Sequence, residues 1–189
     1  QWTTAAPAAA ENKPFAPAPT PTPEKPAEVA PPAPTATPQE ELEKNLRDIV
    51  VGSKTSTKVS YRSLKVEKSD LDRPKDTKMI TVSVNVGTFL NKSSFLKDTG
   101  VLSTQLFEAV YASKLNPYDV FVWYYAKTKD RYGNEQDDVV QTYSIDKDTF
   151  QKINWQSFDR KSICDFLKQE FTIDPEHSAD GCVTLADIK

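Results

Sequence analysis

Residues 120–126 read Val-Phe-Val-Trp-Tyr-Tyr-Ala, and this run decides the fold. Seven consecutive apolar side chains, most of them β-branched or aromatic, favour a strand. Alternation sorts them into Val120, Val122 and Tyr124 on one face and Phe121, Trp123 and Tyr125 on the other. Bulky side chains on both faces predict a central strand covered on both sides.

Working outward, Asp130-Arg131-Tyr132-Gly133-Asn134 reads as a turn, and residues 139–145 as the next strand, antiparallel to the first. Upstream, Asn116-Pro117 ends a helix whose apolar positions Leu102, Leu106, Ala109, Val110 and Ser113 recur at helical spacing; Thr99-Gly100 is read as its start. Before it, Ile80, Val82, Val84 and Val86 alternate with Thr81, Ser83 and Asn85, which predicts a half-buried strand. The polar stretch 69–77 is a turn. Residues 58–68 form another strand, and the alternation of Val59, Tyr61, Leu64 and Val66 slips once, as a bulge would make it. A first helix is expected over 39–51, with Leu42, Leu46, Ile49 and Val50 on one stripe, acids at its start and Gly52 at its end. Past the aromatic strand, Asp146 caps a short helix through Phe150 and Ile153. A last helix over 159–171 buries Ile163, Phe166, Leu167 and Phe171. The fold class that follows is α+β: a mostly antiparallel sheet of about four strands in ββαββ order, with helices on one face. Hairpins alternate with helices, so a doubly wound parallel fold is not expected.

The first 38 residues are different. Eleven of the fourteen prolines and eleven alanines lie there, and Trp2, Phe15 and Val29 are the only large apolar side chains. Such a stretch has too little to bury to offset its ordering entropy. Residues 1–38 are therefore read as a disordered Pro/Ala/Thr tether, reaching about 100 Å if extended as polyproline II. Residues 39–189 are read as one domain that ends in a disulfide-closed tail.

A net charge of −3 with scattered lysines and arginines argues against a nucleic-acid partner. No apolar run is long enough for a transmembrane helix. A tether behind a polar Gln-Trp-Thr-Thr start implies a removed targeting segment, with a lipid anchor among the attachments expected. Cys164 and Cys182 are the only cysteines, and with His177 as the single histidine they match no zinc pattern. A disulfide closing this loop, worth roughly 3 kcal/mol in the chain-entropy model, fits better. It places the chain in an oxidising compartment, extracytoplasmic, secreted or anchored at the cell surface.

A helix ending Ala109-Val110-Tyr111-Ala112-Ser113, the aromatic strand 120–125, the turn 130–135 and Lys152-Ile153-Asn154-Trp155 follow in order. As a set, over residues 39–155, they resemble small uncharacterised domains of bacterial surface proteins and lipoproteins that follow a low-complexity spacer. The resemblance implies a bacterial cell-envelope setting and brings no catalytic residue.

No catalytic, cofactor-binding or metal-binding residue is assigned, and no cofactor is expected. His177 lies in a polar tail where water is hard to exclude, and five dispersed glycines build neither a nucleophile elbow nor a phosphate loop. Asp174, Glu176, Ser178 and Asp180 place oxygens at alternating positions, as a calcium loop does, but Ala179 and Leu185 stand where an EF-hand needs Gly and Glu. Asp137 and Asp138 are adjacent on a strand and point to opposite faces, so they cannot flank one glycosidic bond. The recognition candidates are Trp123, Phe121 and Tyr125, which serve either as core packing or as a binding platform. The functional expectation is a non-enzymatic surface module that binds or spaces envelope proteins or glycans. The alternatives are a cell-wall-acting enzyme or enzyme inhibitor using converging carboxylates, such as Asp130 with Asp146, and an accessory subunit that pairs through a sheet edge.

Overall fold

The computed structural model describes residues 36–69, 73–87, 91–129, 132–173 and 181–184; of residues 170–173, 183 and 184 it describes the backbone. Residues 1–35 of the tether reading, His177, Asp130 and the alternating oxygens of 174–180 lie outside the described residues; the last residues of that reading, Thr37 and Pro38, belong instead to the start of the first helix. Contacts divide the chain between Pro34 and Thr35, and the second unit is the domain described below.

The domain opens on helix α1 (Pro38–Gly52). Thr37 caps it: the Glu40 N–H donates to the Thr37 hydroxyl at 3.3 Å, and the Thr37 N–H donates to the Glu40 carboxylate at 2.7 Å. Pro38 sits where a missing N–H costs nothing, so the helix begins one residue before the stretch expected from its apolar stripe. Leu42, Leu46 and Val50 are buried.

Five strands follow: β1 (Val59–Lys68), β2 (Lys78–Val86), β3 (Pro117–Lys129), β4 (Glu135–Asp146) and β5 (Gly181–Thr184), lying side by side in that order. Three neighbouring pairs are antiparallel, and β2 with β3 is parallel. A parallel pair needs a crossover, and helix α2 (Lys92–Tyr111) supplies it. The expected strand slip in β1 is real: register shifts between Tyr61 and Ser63, leaving Arg62 as the extra residue. The ββαββ expectation matches β1 to β4 with α2 between them. The cysteine tail adds β5, a four-residue edge that sequence alone did not show.

Helix α2 corrects one expectation. It starts at Lys92, where the Asn91 side chain accepts the Ser94 N–H at 2.9 Å, and Thr99-Gly100 lies inside it. Thr99 folds its hydroxyl back on the Phe95 carbonyl at 2.8 Å. Gly100 lets another element come close: a Cβ there would meet Ile163 Cγ2 at 3.0 Å and the Arg160 carbonyl at 3.3 Å. Residues that resemble a helix cap are here a helix crossing. Strand β4 likewise begins at Glu135, four residues before the expected start, because its polar residues 135–138 pair with the end of β3, Glu135 opposite Lys129, in an exposed arm.

Helices α3 (Lys147–Lys152) and α4 (Ile163–Ile173), joined through a 3-10 turn at Arg160–Ser162, complete the domain. Asp146 caps α3, its carboxylate taking the Thr149 N–H at 2.8 Å. On α4, Ile163 and Leu167 are buried and Phe166 partly so; the Phe171 side chain lies outside the described residues. The Cys164–Cys182 disulfide, Cα atoms 5.2 Å apart, ties α4 to β5.

All the described helices pack on one sheet face. The Tyr124 hydroxyl donates to the Thr99 carbonyl at 3.0 Å and lies 2.9 Å from the Ser103 hydroxyl. The Tyr143 hydroxyl lies 2.9 Å from Thr99 Oγ1, so α2 covers that face. Helix α4 meets α2 at Gly100, and α1 lays Arg47 over the Tyr61 ring at 4.3 Å. Tyr111 of α2 stacks on Phe150 of α3, ring centroids 4.2 Å apart, so α3 is on the same side. Burial raises the Tyr124 and Tyr143 hydroxyls far above the ordinary phenol range, and both stay neutral donors.

Candidate functional site

The second face of the sheet carries no helix among the described residues. The expectation of a central strand covered on both sides is therefore corrected: β3 is central within its sheet, but only Val120, Val122 and Tyr124 point at the helices. Phe121, Trp123 and Tyr125 form a row down the middle of the other face. Trp123 is 36% exposed, and Phe121 and Tyr125 are half-buried.

Register explains why the row can stand there. Phe121, Trp123 and Tyr125 align with Thr81, Ser83 and Asn85 on β2, and with Ser144, Thr142 and Val139 on β4. A column of rings thus runs between two columns of smaller, mostly polar side chains. Thr81 and Ser83 are only 6% and 7% exposed. The Trp123 and Tyr125 ring centroids lie 6.4 Å apart with planes inclined at 54°.

Each end of the row carries an arginine. At one end Arg62, displaced by the β1 bulge, lays its guanidinium 4.1 Å from the Tyr125 ring centroid. The same group donates to Asn85 Oδ1 at 3.2 Å and to the Asp137 carboxylate at 3.0 Å, while the Lys127 ammonium lies 3.4 Å from Asp137. Donation from Arg62 holds the Asp137 carboxyl below the ordinary range. At the other end Arg73 pairs with Asp119 at 3.0 Å and lies 4.7 Å from the Tyr118 ring centroid. Burial raises the Asp119 carboxyl, the Arg73 charge opposes this, and Asp146, directly across the β3–β4 ladder, adds to the rise. Tyr118 donates to Asp148 at 2.7 Å, and burial pushes its hydroxyl up to about 12.

The structure thus brings the three recognition candidates into one column. Asp137 and Asp138 diverge: the first joins Arg62, the second bonds Thr128 and Gln136. Sequence reasoning missed Arg62, Arg73 and Asp119. The slip in the β1 alternation was the one local signal for Arg62, whereas Asp119 faces Asp146 only because of register. Among the described residues no group of three metal-ligating side chains converges. No described helix is long and apolar enough to cross a membrane.

Fold and face together define an α+β domain with a one-sided helix layer and an aromatic, ion-paired open sheet face. Compared with known protein families, curated proteins and solved structures, the chain matches none.

Proposed function

We propose that this is a non-enzymatic recognition module of a cell envelope, working outside the cytoplasm and binding through the open face of its sheet. The observation that carries the reading is Trp123: a large ring in the centre of the central strand, standing 36% exposed between short polar neighbours. A core position would cover such a ring, and exposed aromatic anchors dominate recognition surfaces. The buried Cys164–Cys182 disulfide supports an oxidising setting. The carboxylate alternative finds less support, since Asp146 is engaged as the α3 cap and Asp119 is bound by Arg73.

Co-sedimentation with purified bacterial envelope material tests the proposal. The wild-type domain is expected to sediment, Trp123→Ala to stay in solution, and Val51→Ser, on the far surface of α1, to behave as wild type. Equal retention of wild type and Trp123→Ala defeats it.

One observation favours the edge-pairing reading. Strand β5 pairs only with residues 141–144, leaving residues 135–140 of β4 without a strand on that side among the described residues. Glu135, Asp137 and Asp138 there oppose uncontrolled pairing. Loss of sedimentation on Val140→Pro, with Trp123→Ala unaffected, would favour that reading instead.

A further inference from the structure

Resting on the open-face reading, the geometry points to a ligand class: we infer that the face binds an uncharged chain of pyranose sugars, with Trp123 as the stacking residue.

Charge comes first. The cations named on the face are paired with carboxylates, Arg62 and Lys127 with Asp137 and Arg73 with Asp119, and Asp146 is held as the cap of α3 by the Thr149 N–H. An acidic ligand would have to take an arginine from its carboxylate, and a basic one would have to take the carboxylate. Both exchanges give up an existing ion pair for a new one, whereas a neutral ligand leaves the pairs intact.

The stacking geometry comes next. Phe121 to Tyr125 spans four strand steps, roughly 13 Å, which is the length of a short oligosaccharide. Arg62 already occupies a face of Tyr125 and Phe121 is half-buried, so Trp123 is the ring most exposed for stacking. Its indole N–H makes no hydrogen bond among the described residues and can serve a sugar hydroxyl.

Hydrogen bonding separates a sugar from a peptide. The backbone N–H and C=O groups of β3 are used in the ladders to β2 and β4, so an extended peptide lying on the face finds no main-chain partner. One margin of the row, Thr142 and Ser144 on β4, offers side-chain hydroxyls that can donate to and accept from a sugar's own.

The test is an NMR titration of the folded domain, following the Trp123 indole N–H, with cellotetraose, chitotetraose, tetragalacturonate and decaproline. The neutral sugars are expected to shift that resonance, with an affinity little changed between low and high salt. Trp123→Ala is expected to weaken binding about tenfold, as truncating an aromatic anchor does. Trp155, whose indole N–H is held by the Phe150 carbonyl at 3.1 Å, is the internal control and stays unmoved. If tetragalacturonate or decaproline binds at Trp123 and the neutral sugars do not, the sugar inference falls while the open-face reading stands. If no probe moves Trp123, the inference falls, and co-sedimentation separately decides the open-face reading.

Discussion

Trp123 and Tyr124 are neighbours in the chain and opposites in the fold. Tyr124 is fully buried and donates to the Thr99 carbonyl at 3.0 Å, while Trp123 stands 36% exposed on the face that no described helix covers. Strand alternation produces the contrast. Tyr124→Ala should cost about 3–5 kcal/mol, because it empties a buried site and orphans the Ser103 hydroxyl. Trp123→Ala should cost about 1 kcal/mol or less. Urea unfolding of both variants checks the pair, and similar losses would place Trp123 in the core.

The two helical glycines at Gly52 and Gly100 should respond oppositely to alanine. At Gly52 a Cβ meets nothing within 4 Å, so the propensity gain of up to about 1 kcal/mol is kept. At Gly100 the new methyl meets Ile163 Cγ2 at 3.0 Å and the Arg160 carbonyl at 3.3 Å. Overpacking of about 1–3 kcal/mol outweighs the propensity gain there. Thermal unfolding is expected to show Gly52→Ala raised and Gly100→Ala lowered.

Reducing the disulfide should remove about 3 kcal/mol, from the eighteen-residue separation of its cysteines. Strand β5 is four residues long and shares its contact with α4 through this bond, so it should be the first element lost. Hydrogen exchange with and without reductant measures this. Early exchange is expected at residues 141–144 of β4, and the β2 amides stay protected.

Asp98 gives a pH dependence with a definite sign. Burial raises its carboxyl, but donation from the Ser56 hydroxyl at 2.6 Å, the Thr57 N–H at 2.9 Å and the Thr57 hydroxyl at 3.1 Å outweighs it, and the net value lies below 3.8. The folded state therefore holds the proton less well than the unfolded chain. The stabilisation is complete above the unfolded value and is lost as pH falls through the folded one. Asp98→Asn is expected to be less stable than wild type at pH 7, with the gap closing below pH 3.8; a gap constant with pH would remove the charge from the explanation.

What could be read in advance tracks the range of the forces involved. The α1 stripe, the alternation of β2, the slip in β1 and the cap at Asp146 are settled by residues within a few positions of one another, and each was legible. The start of α2 was misread because Thr99-Gly100 has the chemistry of a cap. Only the approach of Ile163 from far along the chain shows that Gly100 is there for space.

The sequence by itself determined that an α+β domain with a largely antiparallel sheet and a disulfide forms, because periodicity and the choice of apolar residues are local properties of the chain. It could not say whether Phe121, Trp123 and Tyr125 were core or surface. A strand with rings on both faces is compatible with one helix layer or two, and the number of layers depends on where distant helices dock. Only the tertiary structure, with every described helix on the Tyr124 side, decided that Trp123 has no helix over it among the described residues and stands 36% exposed.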